Sequence, residues 1–265
     1  MPNPLFVHLR LHSEYSIVDG IVRLDAAVAA AADDGMPALA LTDLGNVFGM
    51  VKFYREARAR GVKPIMGCDL WITNEADRDQ PYRLLLLCQS RAGYLRLCEL
   101  LTRAYRANQY RGRPEVRKAW FADTGTEGLI ALSGAHHGDL GQALATANEP
   151  QARKLAREWH GLFPQRYYIE LQRLGSGAMT TGAASVPIEN YVQAAVRLAS
   201  ALKLPVVATH PVQFVEPDDF RAHEARVCIS EGYILSDQRR PRHLDRKSTR
   251  LNSSHIQKSR MPSSA

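Results

Sequence analysis

Short apolar runs that read as strands alternate with longer amphipathic runs that read as helices, and this alternation most narrows what the chain can become. Residues 6–12, FVHLRLH, are strand-like; a helix is predicted over residues 22–35, VRLDAAVAAAADDG, with Gly35 as its stop signal. PALALTD (37–43) reads as a strand and GMVKFYREARARG (49–61) as a helix ending at Gly61. KPIMGCDLWIT (63–73) and YRLLLLCQS (82–90) are two further strands, the second apolar almost throughout, as a strand covered on both faces should be. A helix over residues 93–109 follows, then strands in EGLIALSG, RYYIELQR and LPVVATH, with helical stretches at 139–146, 150–162 and 188–202. Repeated βα units argue for a largely parallel sheet, open or closed into a barrel. Residues 175–185, GSGAMTTGAAS, are a run of small residues and predict a mobile loop.

Polar residues fall where such strands end. His12 follows the first, Asp43 the second, Asp69 lies within the third, and His210 ends VVATH. In parallel α/β folds that end gathers binding and catalytic groups. Taken alone, Asp43 reads equally well as a cap or turn residue and His12 as a structural histidine. Their joint placement favours a site.

Composition bounds the class. The chain has 265 residues, 45% of them hydrophobic, enough for a full core. Four scattered cysteines, with no CxxC pair, read as reduced residues of a cytoplasmic protein. The start lacks the pattern of a signal peptide, and no apolar run is long enough to predict a membrane span. The formal charge is +7, but residues 245–265 carry five Lys/Arg against one Asp, so 7 − 4 leaves +3 for residues 1–244, a weak nucleic-acid signal. That Ser-rich tail has no helix or strand period, and DRKSTRLNSSH back-translates into sequence resembling a short-read sequencing adapter. It is read as a non-native, disordered tail on a domain of residues 1–244, cut before the body of a longer protein.

Four stretches, FVHLRLHSEYSIVDG, GMPALALTDLGNVFGMVKFY, GVKPIMGCDLWIT and LPVVATHPVQF, occur in order at spacings that resemble the polymerase and histidinol phosphatase (PHP) domain of bacterial DNA polymerase III alpha subunits. The resemblance runs through RYYIELQR and DDFRAHEARVCISEGYIL. It implies a distorted (β/α)7 barrel. In active PHP members, His, Asp, Glu and Cys side chains hold up to three divalent metals. Matched to that pattern, His12, Asp19 and Asp43 are kept and Asp69 stands for a Glu, while Arg10 replaces the first imidazole of the opening motif. Leu44, Ala135, Leu174, Pro211 and Gln213 stand at further ligand positions, and His210 is a nearby substitute.

Arg10 carries a permanent positive charge that would repel a metal and could satisfy Asp19, Asp43 and Asp69 by hydrogen bonds. The expectation is a vestigial site held by an arginine–carboxylate network, with no catalytic residue and no cofactor in this stretch. The resemblance further implies a scaffold that docks the proofreading exonuclease and other holoenzyme subunits, in a longer polymerase that uses Mg²⁺ on DNA. The alternative is an active metal-dependent phosphoesterase or 3′–5′ exonuclease. Residues 91–118 mix arginines with Tyr94, Tyr105 and Tyr110, which reads as a solvated basic helix face before it reads as a single-strand binding surface.

Overall fold

The computed structural model describes residues 6–173, 178–181 and 184–237. In chain order the elements are α1 (Leu24–Asp33), β1 (Ala38–Leu41), α2 (Met50–Ala59), β2 (Lys63–Ile72), β3 (Tyr82–Cys88) and α3 (Arg91–Ala107). There follow β4 (Gln109–Tyr110), β5 (Arg113–Val116), α4 (Trp120–Thr124), β6 (Leu129–Leu132), α5 (Asp139–Ala145) and α6 (Glu149–Leu162). The last are β7 (Tyr167–Leu171), β8 (Ala178–Thr181), β9 (Ala184–Pro187), α7 (Ile188–Leu202), β10 (Val206–Ala208) and α8 (Phe220–Glu231).

Hydrogen bonding runs from β1 to β2, β3, β6, β7 and β10 in turn. The N-terminal segment closes the ring. Val212 N–H donates to Arg10 O at 3.1 Å and His12 N–H to Val212 O at 2.9 Å on one side. On the other, Ala40 N–H donates to His8 O at 2.9 Å and Thr42 N–H to Leu11 O at 3.0 Å. The result is a distorted (β/α)7 barrel, as the sequence implied.

The distortion has a specific source. β3 runs antiparallel to both β2 and β6, where the sequence predicted a largely parallel sheet. Only residues 73–81 join β2 to β3, too few for the helical crossover that a parallel pair needs. The small-residue run also differs from expectation: β8 and β9 pair antiparallel as a hairpin. The tail at 245–265 and Leu174 lie outside the described residues.

Alternation along each strand sorts side chains between helices and barrel interior. Leu84 and Leu86 of β3 face α3 in a cluster with Leu97, Leu100, Phe121 and Trp159. Leu85 and Leu87 turn inward to pack with Ala40 and Leu132. A second outer cluster joins α1, α2 and β1 through Leu24, Val28, Leu39, Leu41 and Phe53. Inside the barrel the apolar floor gives way toward the strand C-termini to Arg10, Asp69, Arg83 and Glu170, each 15% exposed or less.

Gly93 tests the fit of α3 against the barrel. An Ala in a helix ordinarily gains about 0.5–1 kcal/mol over Gly, but here a Cβ would stand 1.8 Å from Gly128 O. Steric overlap should reverse the sign. Gly93→Ala is expected to lose roughly 1–3 kcal/mol in urea melts, and a gain would show that α3 sits further from the β6 entry than described.

Candidate metal centre and its ion-pair cluster

Four segments far apart in sequence bring the cluster together. Arg10 comes from the N-terminal segment, Asp69 from β2, Arg83 from β3 and Glu170 from β7. Arg10 extends its guanidinium across the barrel mouth. Nε and Nη2 donate to the two oxygens of Glu170 at 3.0 Å each, a bidentate fork, while Nη1 donates to Asp69 Oδ2. Arg83 Nη1 donates to the same Asp69 oxygen at 2.9 Å, and its guanidinium lies 3.7 Å from the centre of the Trp71 ring. Gln172 Nε2 donates to Glu170 Oε1 at 3.1 Å and Thr209 Oγ1 donates to the same atom.

His12 links this core to Asp19. Its Nδ1 is 2.9 Å from Asp19 Oδ2, and Nε2 lies 3.3 Å from Asp69 Oδ2, inside ion-pair reach but off line for a hydrogen bond. Gln213 Nε2 donates to Asp19 Oδ2 at 2.8 Å. Asp43 is held separately, by Ser13 N–H at 2.6 Å, Ser13 Oγ at 2.9 Å and Ser16 Oγ at 3.2 Å.

The structure therefore brings together Arg10, His12, Asp19 and Asp69, four of the residues singled out from sequence, and corrects how they are joined. Arg10 forms no hydrogen bond or ion pair with Asp19 or Asp43. It points across the barrel to Asp69 on β2 and Glu170 on β7, while Asp19 and Asp43 are held by their own donors. Glu170 and Arg83 went unrecognised from sequence. Each is a charge inside an otherwise apolar strand, YYIEL and YRLLLLC, and a buried charge there must find a partner. His210 faces His8 at a ring separation of 5.9 Å, and the Gln213 amide donates to Asp19. His136 and His137 occupy one short turn with rings 3.9 Å apart, and burial, first, pushes His137 well below the usual range.

Electrostatics follow from these contacts. Burial opposes charge at Arg10, His12, Asp19, Asp69 and Arg83, yet Arg10 and Arg83 hold Asp69 well below the usual carboxylate range. Burial is likewise the first influence on His12, but Asp19 and then Asp69 outweigh it and raise its pKa to about 9. Asp19 is lowered in turn, against burial, by His12. Asp43 is raised by burial despite its Ser13 bonds. Three cations, Arg10, Arg83 and protonated His12, thus face three carboxylates, Asp19, Asp69 and Glu170.

A divalent cation does not fit this donor set. The space between Asp69 and Glu170 is spanned by a guanidinium, and Asp69 Oδ2 already takes two arginines. Among the described residues, no three His, Cys, Asp or Glu side chains are grouped to hold a metal.

Residues 8–174 match the model of the PHP domain. The chain belongs to the PHP family. The domain is 46% identical over 243 residues to DNA polymerase III subunit alpha of Neisseria meningitidis, covering 91% of this chain and 20% of that protein. The corresponding subunit of Pseudomonas aeruginosa is 44% identical, covering 89% and 19%, and that of Escherichia coli 40%, covering 91% and 20%. The chain thus spans about a fifth of the length of these curated relatives. In fold, the PHP domain is similar to an amidohydrolase from Chromobacterium violaceum, with a TM-score of 0.50 at 14% identity, over 83% of this chain and 96% of the other. No helix among the described residues is long and apolar enough to cross a membrane.

The protonated His12 gives a pH test. Its pKa rises on folding from 6.5 to about 9, so its stabilisation is fully present below about pH 6.5 and is lost as pH rises through about 9. The loss should approach roughly 3 kcal/mol. Denaturant melts at pH 6.5 and 9.5, comparing the native chain with His12→Gln, should show that the native chain loses this amount relative to the variant. Parallel pH profiles would mean His12 is neutral in the folded state.

Proposed function

We propose that this chain is the PHP module of a DNA polymerase III alpha subunit and acts as a scaffold without a reaction of its own. The longer protein would perform template-directed DNA synthesis in chromosome replication, with Mg²⁺ held by carboxylates outside this stretch. Within it the barrel would stabilise the polymerase body and dock the proofreading exonuclease subunit of the holoenzyme. The similarity to alpha subunits over about nine-tenths of the chain supports the parent assignment.

One observation carries the non-catalytic reading: the bidentate Arg10–Glu170 pair, with its second arm on Asp69. A PHP phosphoesterase or 3′–5′ exonuclease needs metal-bound hydroxide placed against phosphorus. Here a fixed positive charge lies among the carboxylates that would hold the metal. His12, Asp19, Asp43 and Asp69 are on this reading the remnant of a ligand set, stabilised by a guanidinium in the place of a cation.

Elemental analysis of the chain after gel filtration in metal-free buffer tests this. The expected result is zinc and manganese far below one equivalent, with no hydrolysis of a phosphodiester when either metal is added back. Equimolar bound metal, or metal-dependent hydrolysis abolished by Asp69→Asn, would restore the phosphoesterase reading.

A further inference from the structure

The outer wall of the barrel carries a groove of about 420 Å³ between α2 and the first turn of α3. Pro64 and Met66 of β2 form its floor with Cys88 at the end of β3, and Val51, Tyr54 and Tyr94 form its sides. The groove has a topological origin. β1 reaches β2 through α2, and β3 reaches β6 through a connection containing α3, but β2 turns directly into β3. That connection supplies no helix of its own, so between α2, which packs on β2, and α3, which covers Leu84 and Leu86 of β3, a slot is left lined by apolar side chains. Val51 is 62% exposed and Tyr54 51%. Exposure of large apolar residues along one slot marks a surface that another chain covers.

The rim is cationic. Val51, Tyr54, Arg55 and Arg58 follow helical spacing along the exposed stripe of α2. Arg91 stands at the start of α3 and Lys63 at the start of β2. Among the described residues, Arg55, Arg58, Lys63 and Arg91 make no ion pair, whereas Lys52 is tied to Glu14 at 3.1 Å. Glu56 and Glu99 are the acidic residues of the two helices, so cations outnumber them.

We propose that this groove receives an acidic amphipathic helix of a protein partner. Its apolar side chains seat on Met66, Tyr54 and Tyr94, and its carboxylates meet Arg55, Arg58 and Arg91. A helix lying in an apolar groove is an established recognition mode, and Tyr, Met and Arg are the residue types enriched at such contacts. A second copy of this chain fits poorly, since like cations on the two rims would oppose each other. The proposal rests on the scaffold reading above, and it places the docking of the exonuclease subunit on this wall of the barrel, away from the Arg10 cluster.

The test is binding of the full 265-residue chain to its cognate proofreading exonuclease subunit by isothermal titration at low and moderate salt. Tyr54→Glu and Tyr94→Glu, one on each side of the groove, should each weaken binding at least about 10-fold with little change in melting temperature. Arg55→Glu combined with Arg58→Glu should weaken it and flatten its salt dependence. Ile229→Glu, at a residue 80% exposed on α8, should leave affinity unchanged. Failure of the unsubstituted chain to bind would overturn the scaffold reading and this proposal with it. Binding that survives the Tyr54, Tyr94 and arginine substitutions would overturn the groove alone. Self-association in sedimentation that those same substitutions abolish would assign the groove to a second copy and likewise overturn the proposal.

Discussion

A guanidinium buried between two carboxylates organises the mouth of this barrel. Arg10 is 5% exposed, and Asp69 and Glu170 are 1% and 0% exposed, so none of the three can lean on water for its solvation. Bringing such charges out of water costs several kcal/mol each, and the cost is offset only where geometry is good and the remaining lone pairs are satisfied. The bidentate fork on Glu170, the Gln172 and Thr209 donors and the Arg83 contact on Asp69 meet that requirement. A buried pair of this kind is weak evidence for extra stability, but it fixes geometry: it ties the N-terminal segment to β2 on one side and β7 on the other.

That tie matters because the N-terminal segment closes the ring with few backbone bonds of its own. It contributes isolated bridges, Leu11 to Val212 and Ser13 to Val22, and among the described residues no extended ladder. The charged cluster therefore adds cross-barrel contacts where the backbone pairing is thinnest. β3 takes part for a reason rooted in topology: because it runs antiparallel to β2, its first residues, including Arg83, lie at the same end as the C-terminal residues of β2. A parallel β3 would place Arg83 at the opposite end. One short connection thus both delivers a second arginine to the cluster and leaves the outer groove uncovered.

Much of the fold was legible because helices and strands declare their period locally. α1 stops ahead of Gly35, whose φ of +67° suits a residue without a side chain, and α3 buries Leu97, Leu100, Leu101 and Ala104 along one stripe. His12 and Asp19 were legible as site residues through the PHP resemblance, but their pairing was not, since Asp19 was expected to meet Arg10 and meets His12 instead. The Arg10–Glu170 pair spans 160 residues, and no local period records which charge in one strand will face which charge in another. Strand direction was hidden for a similar reason: an apolar run such as YRLLLLC reads the same in either sense, and the length of the β2–β3 connection was the clue. The β8–β9 hairpin escaped because small residues signal a loop by composition, while pairing of two short strands depends on their tertiary setting.

The central claim is that Arg10 and Glu170 are coupled as a buried ion pair. A double-mutant cycle measures that coupling directly, with Arg10→Met, Glu170→Gln and the combined variant compared in denaturant melts. If the pair is as described, each single change leaves a buried charge uncompensated and costs about 3–5 kcal/mol, while the double variant recovers at least about 2 kcal/mol of the summed loss. Additive losses, with coupling below about 0.5 kcal/mol, would show that the guanidinium points elsewhere and that the site is not organised by this pair.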